Sequence, residues 1–61
     1  MIIRITVDLN YRAATIDYKD GMWLTITRAD YDKYMAFVDN CMKFCKHVYI
    51  SDNGWRKVFE F

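Results

Sequence analysis

Ala14-Thr15-Ile16-Asp17-Tyr18-Lys19-Asp20-Gly21-Met22-Trp23-Leu24-Thr25-Ile26 is the stretch whose pairing decides the fold. Apolar and polar residues alternate on both sides of Lys19-Asp20-Gly21, the period of two that belongs to a strand with one buried face. A slip of one residue turns every side chain to the opposite face, so the register can be tested against the pattern. A two-residue loop at Asp20-Gly21 sets Ile16 opposite Thr25 and Asp17 opposite Leu24, mixing apolar with polar. A three-residue loop, with Gly21 left-handed in a bulge, sets Tyr18 against Met22, Ile16 against Leu24 and Ala14 against Ile26. The longer loop keeps one apolar face, and it turns Trp23 outward with Thr15, Asp17 and Thr25.

Upstream, Ile3, Ile5, Val7 and Leu9 alternate with Arg4, Thr6 and Asp8, which predicts a first strand. Joining it through Asn10-Tyr11-Arg12-Ala13 puts Leu9 beside Ala14 and Val7 beside Ile16, completing a three-stranded meander. Downstream, Thr27-Arg28-Ala29-Asp30 has the form of a capping box, with the Thr27 hydroxyl accepting the Asp30 backbone N–H. A helix is therefore expected from Arg28 to about Lys46 or His47. Steps of about 100° place Tyr31, Tyr34, Met35, Val38, Cys41, Met42 and Cys45 on one stripe, the lid of the core. Lys43 and Lys46 then fall in the last turns, where cations suit the helix dipole.

Beyond the helix, Val48-Tyr49-Ile50-Ser51 and Trp55 to Phe61 flank Asp52-Asn53-Gly54. Asn-Gly between two strand-like runs is a strong hairpin signal. A two-residue turn faces Val48 with Phe59 and Ile50 with Lys57. It is preferred over a three-residue turn, which faces Val48 with Val58 and Ile50 with Arg56. The fold class that follows is α+β: an antiparallel sheet with elements ordered β-β-β-α-β-β and one amphipathic helix packed on one face.

Sixty-one residues suit a single domain, 1–61, because so short a chain buries only roughly 60% of its unfolded surface. With 54% hydrophobic and 18% aromatic residues the chain is far from the composition of disorder. No run approaches the ~20 apolar residues of a membrane span, and the first residues lack the apolar core of a secretory signal. Two cysteines, Cys41 and Cys45, are fewer than a small secreted framework usually carries, which favours a reducing cytoplasm.

Chemistry-bearing constellations are sparse. His47 is the single histidine, with only Ser51 near it in sequence, too little for a Ser-His-Asp relay. Cys41-x-x-x-Cys45-x-His47 offers three ligands where structural zinc takes four, so the thiols are expected to fill the core stripe. Asp30 and Asp32 do not share a helix face, and no phosphate-cradling or dinucleotide motif occurs. The expectation is no enzyme, no metal and no cofactor.

Surplus aromatics point instead to a binding protein. Trp23 faces away from the core, Tyr11 and Arg12 sit at a loop tip, and Phe37 and Phe44 lie in line on a helix flank about 100–120° from the core stripe. Either the last hairpin wraps over those two phenylalanines, or they form a ridge for another protein or a second copy of the chain. Occlusion of a host enzyme or defence factor by a small virus- or mobile-element-encoded inhibitor fits this size and class. A less favoured alternative is nucleic acid, with Lys43, Lys46, Arg56 and Lys57 on phosphates and Tyr49 or Trp55 on bases. The net charge of +1 is far from the basic balance typical of such binders. Self-association as a homodimer is the remaining alternative.

Overall fold

The computed structural model describes all 61 residues. Its strands are β1 (Ile2–Asp8), β2 (Ala13–Tyr18), β3 (Trp23–Ile26), β4 (His47–Ser51) and β5 (Arg56–Glu60), with helix α1 (Tyr31–Met42) between β3 and β4. They form one antiparallel sheet in the order β3-β2-β1-β5-β4. The first and last strands therefore pair at its centre, and the helix carries the chain from one edge strand to the other.

The β2–β3 register is the one the alternation demands, with Ala14 opposite Ile26, Ile16 opposite Leu24 and the Tyr18 N–H bonded to Met22 O at 2.9 Å. Gly21 is left-handed at φ +89°, and Asp20 Oδ1 accepts the Met22 N–H at 3.0 Å. The β1–β2 hairpin differs from expectation. Val7 pairs with Ala14 and Ile5 with Ile16, not Leu9 with Ala14 and Val7 with Ile16. The loop is Leu9–Arg12, one residue earlier than expected. Asp8 Oδ1 accepts the Tyr11 N–H at 2.9 Å, Arg12 takes φ 54°, and Leu9 donates its N–H to Trp55 O. A shift of two leaves every side chain on its own face, so side-chain parity could not detect it. A bulge between Ile2 and Arg4 then turns Ile2 toward the core, leaving Ile3 exposed.

The C-terminal hairpin has the preferred register, Val48 opposite Phe59 and Ile50 opposite Lys57. Its turn, Asp52–Gly54, is left-handed throughout: Asp52 has φ 52°, Asn53 φ 57° and Gly54 φ 92°, and the Trp55 N–H closes it on Asp52 O at 3.1 Å. Asn and Asp tolerate this region, but a β-carbon at φ near +90° is strained even in open space. Gly54→Ala is expected to lower stability by about 1–2 kcal/mol, readable as a lower urea midpoint at unchanged slope. An unchanged midpoint would mean that the turn is built differently.

The helix is shorter than expected at both ends. Thr27 Oγ1 lies 3.4 Å from the Asp30 carboxylate rather than capping a backbone N–H, and residues 28–30 form tight turns that hand over to α1 at Tyr31. At the other end, Lys43 caps the helix and the Lys46 N–H bonds Glu60 O at 2.7 Å. Pairing with β5 draws residues 43–46 out of the helix, so neither Lys43 nor Lys46 lies in a helical turn.

The stripe does face the sheet. Tyr31 and Val38 are buried with Ile5, Val7, Ala14, Ile16 and Ile26, while Tyr34, Met35, Cys41, Met42, Phe59 and Phe61 pack around them half-buried. The apolar side of β3 is less covered than parity implies: Met22 is 63% exposed and Leu24 40%. A helix is about 10–12 Å wide, whereas five strands at about 4.8 Å spacing span roughly 19 Å. One helix cannot roof both edges.

Candidate protein-binding surface

Cross-strand register builds the sheet face opposite the helix from three rows. Thr25, Thr15, Thr6, Val58 and Tyr49 form the middle row. Trp23, Asp17, Arg4, Glu60 and His47 form a second, and Ala13, Asp8, Arg56 and Ser51 a third. Antiparallel sheets tolerate one solvated face because their polar side chains alternate onto it. Here that face carries an aromatic at each edge: Trp23, 68% exposed, and the pair His47–Tyr49, whose ring centroids are 4.4 Å apart. Asp17, Arg4 and Glu60 lie between them in alternating charge.

Phe37 and Phe44 are uncovered, at 47% and 75% exposure; the last hairpin does not wrap over them, because β5 enters the sheet centre and β4 lies beyond it. An ion pair fixes how the helix is rolled. Arg12, from the β1–β2 turn, binds the Asp32 carboxylate and places its guanidinium 5.4 Å from the centroid of the Tyr31 ring. Asp32 thus marks the flank that faces the β1–β2 turn. Phe37 lies about 140° round the helix from it, on the other flank, whereas Phe44 lies past the helix end, in the turn that leads to the Lys46–Glu60 bond with β5. The exposed apolar residues therefore fall on separate parts of the molecule: Met22, Trp23 and Leu24 on β3 and its approach, with Trp23 on the open sheet face, Phe37 on the helix, and Phe44 in the turn after it.

The remaining expected contact residues separate. Tyr11 is exposed at the β1–β2 turn, at the end of the sheet where the helix begins. Arg12 beside it is held by Asp32 and Tyr31, which makes it a brace for the helix start as much as a contact residue. The basic residues are also dispersed. Lys43 and Lys46 follow the helix, whereas Arg56 and Lys57 open β5 at the far end of the sheet, on opposite faces. Arg56 lies 3.4 Å from Asp52 and 3.8 Å from Asp8, so part of its charge is already answered. Tyr49 projects on the open face, and Trp55 sits half-exposed at the turn.

Residues that the alternation pattern assigned to the core extend the surface: Met22 and Leu24 at one edge, Val48 and Ile50 at the other. The sequence held the signal in its element count, since five strands under a single helix must leave apolar side chains unroofed. No helix is long and apolar enough to cross a membrane, and both thiols are free. No family model, curated protein or solved structure matches the chain.

Proposed function

We propose that this domain is a non-catalytic protein-binding module anchored by Trp23 on the open sheet face, with Phe37 on the helix and Phe44 in the turn after it as further exposed aromatic contacts. The observation that supports it most is the exposure of three large aromatic rings on elements that the fold already holds in place. Trp23 stands on a strand paired to β2, Phe37 on a helix packed by Tyr31 and Val38, and Phe44 in a turn closed by its N–H on Cys41 O at 3.0 Å. Aromatic side chains with few rotatable bonds lose little entropy on contact and dominate binding energy where they are desolvated. Such a surface works by occupying a partner. We read the activity as inhibition by occlusion of another protein in a reducing cytoplasm, the mode by which a small virus- or mobile-element-encoded domain would act on a host enzyme or defence factor.

Ionic strength and charge insertion test this. Affinity-purified from its native source, the partner should stay bound as salt rises from about 50 to 200 mM, whereas binding resting on phosphate contacts would fall by orders of magnitude over that range. Phe44→Asp should release the same partner while leaving the far-UV circular dichroism unchanged, because Phe44 lies outside the buried cluster. Steep salt loss with Phe44→Asp still bound would count for nucleic acid and against an aromatic-anchored contact.

A further inference from the structure

The edge away from Trp23 is unguarded. All five residues of β4, His47-Val48-Tyr49-Ile50-Ser51, are exposed, and none is a lysine, a proline or a bulge that blunts the edge. Edge strands of this kind are templates for a further strand, because their outward N–H and C=O groups lack partners. The ladder shows which groups these are. Phe61 donates its N–H to Ile3 O, so Phe59 and Lys57 also turn their backbone groups toward β1, while Glu60, Val58 and Arg56 turn theirs toward β4. Their partners are His47, Tyr49 and Ser51. The backbone groups of Val48 and Ile50 consequently point out of the sheet.

We infer that β4 pairs antiparallel with β4 of a second copy of the chain, about a two-fold axis at Tyr49, to give a continuous ten-stranded sheet. Only this register sets Val48 opposite Ile50 of the other copy and Ile50 opposite its Val48, which engages every outward backbone group in four ladder hydrogen bonds. The same register brings Lys46, just before the strand, toward the turn of the other copy that begins at Asp52, a carboxylate that Arg56 approaches at 3.4 Å, so the two ends of the strand carry opposite charge. His47 faces Ser51, and Tyr49 faces its own counterpart on the open face. Val48 and Ile50, 43% and 64% exposed, cover one another on the helix side. The second edge is less suited: β3 has four residues, and its lead-in is bent back by Asp20 on the Met22 N–H. This pairing leaves the Trp23 surface free and does not depend on what that surface binds.

Sedimentation velocity over a roughly hundredfold range of concentration should show a monomer–dimer equilibrium. Ile50→Lys, which brings a charge onto the shared apolar row from an exposed position, should raise the dissociation constant at least about tenfold with the circular dichroism spectrum preserved. Lys46→Asp should weaken the dimer similarly, and adding Asp52→Lys should restore it. Tyr49→Cys provides a readout that no loss of folding can mimic: directly opposed residues in such a pair hold their β-carbons about 4.5–5.5 Å apart, so mild oxidation should link two copies through residue 49. Leu24→Cys and the wild type, whose Cys41 and Cys45 precede β4 and do not oppose their own counterparts in this register, should remain unlinked. Monomer mass throughout, failure of Tyr49→Cys to cross-link, or preferential linking through Leu24→Cys would each overturn the pairing.

Discussion

Replacing Ile16 with alanine is expected to leave the chain largely unfolded at 25 °C. Ile16 is fully buried, paired between Ile5 and Leu24 beneath the helix. Truncating a buried isoleucine to alanine costs about 2–5 kcal/mol in lost transfer energy and residual cavity. At about 0.05–0.15 kcal/mol per residue, a chain of this length has only about 3–9 kcal/mol of total stability. With seven buried residues in all, this one belongs toward the low end. Thermal unfolding followed by circular dichroism should lose its cooperative transition or drop by more than about 15 °C. Met22→Ala is the internal control, since the alternation pattern assigns it to the same face as Ile16. Being largely exposed, it should shift the midpoint by only a few degrees. Equal effects at the two positions would place the core elsewhere.

Trp23→Ala should do the converse, sparing the fold and removing binding. The indole stands on the open face opposite Asp17 and away from the buried cluster, so little packing is lost with it. At the centre of a desolvated contact, truncation of a tryptophan costs about 2 kcal/mol or more, roughly a thirtyfold loss of affinity. Titration calorimetry against the captured partner reads the affinity, and a urea melt reads the fold. A variant that melts at much lower denaturant would show that the ring supports the sheet from its outer face. A variant that binds as tightly as the wild type would remove Trp23 from the contact.

The contrast between Ile16 and Met22 shows what was legible in the amino-acid pattern. Alternation assigns each side chain a face, and for the β2–β3 hairpin it also chose the register, because the competing loop mixed polar with apolar residues; at β4–β5 both loops give one apolar and one mixed pair, so alternation did not decide it. It has no power over shifts of two, which is why Leu9 was expected opposite Ala14, where Val7 sits. Nor does it specify neighbours: nothing local to Ile2–Asp8 announces that Arg56–Glu60 lies against it. That pairing holds the last hairpin away from Phe37 and Phe44 and leaves them uncovered. The helix ends were misjudged for a related reason, since Lys46 is taken by a strand bond to Glu60 that no local propensity records. Trp23 and Phe37 could be singled out by face and Tyr11 by its place in a loop, whereas Phe44 was given a helix face although the helix ends before it. The exposure of Val48 and Ile50 could not, because it depends on where the helix lies over the sheet.

The interior position of β5 also bears on how the domain is made. Until Arg56–Glu60 leaves the ribosome, β1 has a neighbour on one side only, and α1 has no complete floor to rest on. Long-range pairings of this kind must wait for their second strand, so a nascent chain holding the first four strands still displays the apolar groups of Ile5 and Val7. Synthesis at about 5–20 residues per second makes that interval only a few seconds at most. A translational pause over the final hairpin would lengthen it and increase the demand for chaperones.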